Sequence, residues 1–383
     1  MMAVPQYPYP VLGGLERQSH ELAKALMAEG HEVQALSGRI AGGAARSEVV
    51  EGVRVHRIPW PQSGLARFLV GPPAILWVLC RRRNSYDVVH LHQFSWFGAF
   101  VILSSKLLGK AVLTKLPSVG DHSLPGIARA PLGRLKIGIF KLNDAVIAMS
   151  TESVRELMGI AFPPQRILRT PNGITLGAPP VTRDAGGPCR VVFVGRLSRE
   201  KLLTDLLHAW KLVQEQSRAP AVLELWGDGP DRSALEDLAA SLGIAAAVRF
   251  RGYLADVRTR LGAMDVFVLT SVREGNSNAI LEAMCAGLPV VSTRVGGTPM
   301  LVGDAGAHLL VAPGDTAGLA ERLRMLVEDP PGRREQGRRM YDRILAHFDM
   351  RRVAHTYSRA YACLAARRRQ DIHTVSDEVI ALP

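Results

Sequence analysis

The chain has 383 residues, 47% hydrophobic and 21% charged, with 36 Gly and 24 Pro scattered along it; it is too long for one ordinary core, suits two domains, and is neither collagen-like, disordered nor low-complexity. Lys and Arg number 47 against 35 Asp and Glu, a formal net charge of +12 that invites an anionic partner. Aromatic residues make up only 6% and no zinc-finger or RNP-like pattern occurs, so nucleic acid is not the expected partner.

No basic segment followed by an apolar one opens the chain, so no secretory signal is expected and the cytoplasm is the expected location. The opening M-M-A-V-P-Q-Y-P-Y-P leaves only a stub for a first strand ahead of Gly13-Gly14. Leu15, Leu22, Ala23, Leu26 and Met27 recur at helical spacing and predict a helix stopping at Gly30. Runs rich in β-branched residues at 33–36, 53–58, 87–92, 111–116, 145–149 and 166–170 alternate with helical stretches, the rhythm of a parallel sheet flanked by helices. The longest apolar stretch, 68–80, is interrupted by Gly71-Pro72-Pro73 and falls short of the ~20 residues that cross a bilayer, so no span is predicted.

Residues 176–189, dense in Pro and Gly, are the expected linker between a domain at 1–175 and a second at 190–349. The rhythm restarts there, with strands expected at 190–194, 221–226, 248–251, 265–270, 289–293 and 308–311. Ligand is expected in a cleft between the domains, beyond the carboxyl ends of the strands. A helix is expected at 350–366 and a loose tail at 367–383. Cys80, Cys189, Cys285 and Cys363 show no Cys-x-x-Cys spacing, which predicts reduced thiols and no metal site.

Three segments carry chemistry. The strand R-V-V-F-V delivers the chain into Gly195-Arg196-Leu197-Ser198-Arg199-Glu200-Lys201 and then a helix near Leu203. Free amides, the helix dipole, the Arg196 fork and the Lys201 point charge together suit an anion; the plainer alternative is a turn carrying solvated cations. Next, Arg273-Glu274-Gly275-Asn276-Ser277-Asn278 leads into a helix that ends at Gly287-Leu288-Pro289, with Ser277 as its expected N-cap. That helix is apolar nearly all round, so Glu282 is expected to be buried and to need a partner: paired ligand hydroxyls, a backbone amide or a nearby Arg. Glu274 is alternatively a solvated loop carboxylate. Third, Trp226-Gly227-Asp228-Gly229-Pro230 lacks the third glycine of a dinucleotide fingerprint, which disfavours hydride transfer and leaves a turn that shapes the cleft. In the first half, the amides of Gly13 and Gly14 are candidates to meet a phosphate or sugar. His92, Lys115 and Asp121 are acceptor-side candidates, and only one of His90 and His92 is expected to face the cleft.

Taken in order, Gly13-Gly14-Leu15-Glu16-Arg17, residues 87–92, Asn172-Gly173, residues 195–201, residues 227–230 and Glu274-x7-Glu282 resemble the retaining glycosyltransferases of the GT-B fold, family 4, over about residues 11–330. The resemblance implies an α/β chain of two Rossmann-like domains facing each other across a cleft, the first binding acceptor and the second a nucleotide sugar. It implies transfer of a hexose-type sugar from a UDP- or GDP-linked donor, with retention, and without metal or other cofactor. By that resemblance Arg196 and Lys201 hold the diphosphate, Glu282 binds the ribose, and Glu274 sits by the transferred sugar. Gly13, Gly14, Gly195, Gly275, Asn276, Ser277 and Asn278 complete the donor side, and the helix at 350–366 crosses back to the first domain. Relatives often carry His where this chain has Lys115, which points to an anionic acceptor. The basic, apolar stretches 68–83 and 124–141 suit an anionic leaflet, as for a lipid-linked, cell-envelope or polysaccharide acceptor and a peripheral place on the inner face of the membrane. A sugar-nucleotide epimerase or hydrolase of this fold, and a non-catalytic binder of nucleotide sugars, are the other readings.

Overall fold

The computed structural model of the chain describes residues 1–7, 13–39, 45–61, 63–116, 123–177, 180 and 186–380. The chain forms two compact units: unit 1 is Met1–Thr175 with Met350–Pro383, and unit 2 is Leu176–Asp349.

The first stretch of unit 1 runs β1 (Met2–Val4), α1 (Gly14–Ala28), β2 (Gln34–Arg39), β3 (Ser47–Val50), β4 (Val53–Pro59), α2 (Gly64–Arg81), β5 (Val88–Leu91), α3 (Trp96–Leu107), β6 (Ala111–Lys115), α4 (Leu124–Arg129), α5 (Gly133–Phe140), β7 (Ala145–Ala148), α6 (Thr151–Gly159) and β8 (Ile167–Arg169). The sheet order is β3-β4-β2-β1-β5-β6-β7-β8. β1 has three residues, all buried, and pairs in parallel with β2 (Met2 opposite Ala35) and β5 (Met2 opposite His90). The order reverses direction between β1 and β5, so the loops leaving these two strands share one end of the sheet.

Two departures from the sequence reading have local causes. β3, not expected, is an antiparallel edge strand on β4, joined to it through Glu51 and Gly52, both at positive φ (44° and 89°), as a two-residue hairpin turn requires. The expectation that Gly71-Pro72-Pro73 divides the 68–80 stretch is overturned: α2 runs through both prolines. Each proline deletes one N–H donor, and packing holds the helix across the gap. Gly71 lies against the Trp60 ring where a Cβ would come within 2.4 Å, and Ile75, Val78 and Leu79 are buried. By length and composition alone, α2 is therefore long and apolar enough to cross a membrane.

Unit 2 runs β9 (Cys189–Val194), α7 (Leu203–Gln216), β10 (Ala221–Trp226), α8 (Arg232–Ser241), β11 (Val248–Gly252), α9 (Val257–Leu261), β12 (Val266–Leu269), α10 (Asn278–Cys285), β13 (Val290–Thr293), α11 (Thr298–Gly306), β14 (Leu310–Val311), α12 (Thr316–Glu328) and α13 (Pro330–His347). Its sheet is parallel throughout, in the order β11-β10-β9-β12-β13-β14. Its inner strands are mostly apolar, as strands covered on both faces are, whereas edge strand β11 reads V-R-F-R-G with both Arg exposed; Phe193, Trp210 and Phe267 are fully buried. Here the order reverses between β9 and β12.

The chain then returns to unit 1 with α14 (Met350–Ala365). The Met350 amide donates to the Ile174 carbonyl at 2.9 Å, and Val353, Ala354, Tyr357, Ala360 and Leu364 form a buried stripe against α1 and β5. The expected loose tail is corrected. A 3-10 segment, Arg369–Val375, follows, and Ile372, Val375 and Ile380 are buried. The Asp377 amide donates to the Arg169 carbonyl (2.7 Å) and the Arg169 amide to Ser376 Oγ (3.0 Å). β8 is the last strand of its sheet, and the tail pairs backbone groups that an edge would leave open. None of Cys80, Cys189, Cys285 and Cys363 forms a disulfide.

Candidate functional site

The residues singled out in unit 2 lie at the reversal point of its sheet. β9 and β12 are paired neighbours, so the loop leaving β9 (195–202) and the loop leaving β12 (270–277) emerge side by side. After β9 a 3-10 turn, Arg199–Lys201, precedes α7, and Leu202 takes a left-handed conformation (φ 47°) between them. That turn is fastened to the β12 loop by three hydrogen bonds: Thr270 Oγ1 to the Lys201 carbonyl (2.6 Å), Ser271 Oγ to the Glu200 carbonyl (3.1 Å), and the Val272 amide to the same carbonyl (2.9 Å). The Thr293 hydroxyl accepts from the Ser271 amide and donates to the Ser271 carbonyl.

Lys201 and Glu274 meet across these loops, Nζ to Oε1 at 2.5 Å, with both side chains largely buried. Glu274 is thus not a solvated loop carboxylate: it is a buried, charge-paired group. Arg196 is exposed on the turn. Gly275 and Asn276 are buried beside Glu274, while Ser277 and Asn278 are half-buried. Ser277 occupies the N-cap position of α10, but its side chain makes no capping bond.

Two glycine contacts brace the loops. The Gly227 amide donates to the Gly252 carbonyl, and the amides of Gly195 and Leu197 donate to the carbonyls of Trp226 and Asp228. Gly227 (φ 145°) lies where a Cβ would be 1.8 Å from the Gly195 carbonyl oxygen. The 226–230 turn therefore supports the 195–201 loop directly. The second brace is Gly296 (φ 51°), whose Cβ would fall 1.6 Å from the Glu274 carbonyl oxygen; the neighbouring Gly297 amide donates to the Gly275 carbonyl (2.9 Å). Only a backbone without a side chain fits at either position.

Glu282, on α10, is largely buried and faces Arg258 of α9, Nε to Oε1 at 3.5 Å. Arg258, Thr270, Ser271, Gly296 and Gly297 were not singled out from the sequence. The one signal that could have found the glycines is V-G-G ahead of a helix, the same pattern as Gly13-Gly14.

In unit 1, Gly13 is the N-cap of α1. The Glu16 carboxylate accepts hydrogen bonds from the amides of Gly13 and of Glu16 itself, while burial raises its pKa above the usual carboxylate range. A side-chain carboxylate thus accepts from the Gly13 amide at this helix start. His90 and His92 are both buried and stack on each other with ring centroids 4.1 Å apart. The two rings therefore do not point to opposite sides, as the sequence reading had them: residues i and i+2 of a strand share a face. His90 Nδ1 also meets the Tyr361 hydroxyl at 2.7 Å. Burial, followed by neighbouring positive charge, keeps both imidazoles well below their ordinary pKa. Lys115, at the end of β6, is buried and donates to Asn172 Oδ1 at 2.5 Å. Burial brings its pKa down to about 8. Asp121 lies outside the described residues, as do Gly120 and His122. Among the described residues no group of three His, Cys, Asp or Glu side chains is arranged to hold a metal ion.

Comparison with known proteins agrees with this architecture. Residues 12–177 match the family model "Glycosyltransferase Family 4" and residues 188–329 match "Glycosyl transferases group 1". The chain is 28% identical over 400 residues to glycogen synthase of Mycobacterium tuberculosis, covering 95% of this chain and 94% of that protein. It is 37% identical over 147 residues to the lipopolysaccharide core biosynthesis glycosyltransferase LpsE of Rhizobium meliloti, covering 38% of this chain and 43% of that one. Among solved structures, Anabaena HepE in complex with UDP superposes with a TM-score of 0.75 at 20% identity, over 94% of this chain and 99% of that one. Two family models that between them take in most of both units, on a pair of parallel α/β sheets of the GT-B type, place this chain among the family 4 glycosyltransferases.

Proposed function

We propose that the chain transfers a hexose-type sugar from a UDP- or GDP-linked donor to a cell-envelope, lipid-linked or polysaccharide acceptor, with retention of anomeric configuration and without a metal ion, on the inner face of the membrane. The observation that carries this reading is the Lys201–Glu274 pair, set at the sheet reversal beside Arg196 and the free end of α10. In the reaction the bond from the anomeric carbon to the phosphate oxygen breaks, the acceptor oxygen bonds to that carbon, and the acceptor proton passes to the departing phosphate. Negative charge grows on the diphosphate, and the cations of Arg196 and Lys201 stabilise that charge more than they stabilise the bound donor. Glu274, relieved of Lys201 by the diphosphate, is placed to accept hydroxyls of the transferred sugar, and Glu282, oriented by Arg258, those of the ribose.

The names of similar proteins support the parts of this reading unequally. HepE was solved with UDP, which favours a uridine donor. LpsE is named for lipopolysaccharide core synthesis, which favours an envelope acceptor. Buried Lys115, whose ammonium is held by the neutral Asn172 amide oxygen, favours an acceptor bearing an anionic group.

The deciding experiment incubates the chain with UDP-, GDP- and ADP-sugars and native lipid extract, then identifies the product by mass and its anomeric configuration by NMR. An α-linked product from an α-linked donor supports the proposal. Free sugar released without acceptor at a comparable rate points to hydrolysis instead, and an inverted product removes the retaining assignment.

A further inference from the structure

We propose that the outward face of α2, α3 and α5 in unit 1 docks on an anionic phospholipid bilayer, the helices lying along its surface. The proposal deepens the acceptor reading above and rests on it for the purpose of the contact, though not for the contact itself. α2 is apolar on two sides. One side, with Ile75, Val78 and Leu79, is buried in the unit. The other presents Leu65, Leu69, Pro73 and Trp77, spaced four residues apart on one line of the helix, with Leu65 76%, Leu69 68% and Trp77 63% exposed. A helix this apolar, of which little is buried in the unit, lacks apolar cover on its second side.

The neighbouring helix repeats the pattern. α3 packs on α2, and its outward line is Trp96, Phe100, Leu103 and Leu107, the last 74% exposed. The two lines are joined by Phe68, whose ring lies 5.0 Å from that of Trp96 and 5.5 Å from that of Phe100. α5 packs on α3 in turn, adding exposed Leu132 at its start and exposed Leu135. Lys136 sets its ammonium 4.9 Å from the centre of the Trp96 ring. Scattered exposed leucines need no explanation; lines of them on adjoining helices mark an interaction surface.

Charge selects the occupant. No Asp or Glu occurs in α2, α3, α4 or α5, and between Glu51 and Asp144 the chain's only acids are Asp87 and Asp121. Arg67 stacks over Trp60 and Arg81 over Trp77, so cations border the apolar lines at the depth where lipid phosphates lie. A second copy meeting this face through a two-fold axis would bring the same cations against each other. An anionic leaflet meets both chemistries at once, headgroups on the Arg and Lys and acyl chains on the Leu and Trp.

The test is sedimentation of the full chain with vesicles of phosphatidylglycerol and phosphatidylcholine in equal parts, against phosphatidylcholine alone, at about 0.15 M salt. The expected result is at least about tenfold tighter binding to the anionic vesicles, with a blue shift of tryptophan emission. The double variant Leu69→Glu with Trp77→Glu should lose about tenfold of that binding while keeping the wild-type melting temperature. Val49→Glu, at an exposed apolar position on β3, should lose none. Equal binding to both vesicle types, or a double variant that binds as well as the wild type, overturns the proposal. So does a wild-type dimer that Leu69→Glu dissociates, since the face would then belong to a second copy. Binding of UDP-sugar in solution is read in parallel: vesicle binding without donor binding sinks the transferase reading and leaves the docking surface standing.

Discussion

A Cβ added to Gly227 would stand 1.8 Å from the carbonyl oxygen of Gly195, and one added to Gly296 would stand 1.6 Å from that of Glu274. The two loops that hold Lys201 and Glu274 are therefore each pressed against a glycine of another loop, and the spacing of the two charges depends on both contacts.

Gly227→Ala and Gly296→Ala should each destabilise unit 2 by about 2–4 kcal/mol, because a backbone oxygen rather than a flexible side chain has to move. Donor binding should weaken at least about tenfold, since the oxygen that moves belongs to the site. Gly243→Ala is the control. Gly243 has φ 72° with open space around it, so only the conformational cost of about 1 kcal/mol remains. Thermal melting together with UDP-sugar titration checks all three, and Gly227→Ala behaving like Gly243→Ala would contradict the brace.

Removing one member of the Lys201–Glu274 pair should harm stability more than removing both. Lys201→Met leaves a largely buried carboxylate unpaired, at a cost of about 2–3 kcal/mol, and Glu274→Gln added to it should recover most of that. Activity should not recover: kcat should fall on the order of 10²-fold in Lys201→Met and stay down in the double variant. A double variant no more stable than Lys201→Met would show that the pair is not coupled.

Lys115 should impose a pH dependence on unit 1. Its ammonium gives up its proton near pH 8 when folded and near 10.5 when unfolded. Between those values the unfolded chain binds more protons, so stability rises with pH, by about 3 kcal/mol in all. Lys115→Met should remove that slope from the urea-unfolding profile between pH 8 and 10 and leave the slope below pH 8, which buried His90 and His92 contribute to, unchanged. The variant keeping the wild-type slope would show that the ammonium is solvated.

Transfer in the presence of excess chelator should proceed at the untreated rate. A loss of activity that magnesium or manganese restores would replace Arg196 and Lys201 with a divalent ion as the group that receives the leaving charge.

The parallel strands were legible because strands covered on both faces are written as continuous apolar runs, as in V-V-H-L of β5 and V-F-V-L of β12. β3 was not: S-E-V-V is half exposed and becomes a strand only through the Glu51-Gly52 turn. α2 was misread because Gly-Pro-Pro is a local breaker, whereas its continuity comes from contact with Trp60 and the core. Lys201 and Glu274 each stood out by neighbouring residues. Their pairing did not, because the adjacency of β9 and β12 is a property of strand order. Arg258 carried no local signal at all, since what distinguishes it is the face of α10 that it meets.

Unit 1 is interrupted by the whole of unit 2, and its stripe of Val353, Ala354, Tyr357 and Leu364 belongs to α14. On the ribosome those residues emerge after Leu176–Asp349, so the eight-stranded sheet waits uncovered along α1 and β5 while the six-stranded one has all its pieces to hand. Nascent unit 2 is thus free to fold before unit 1 has received the helix that covers its sheet.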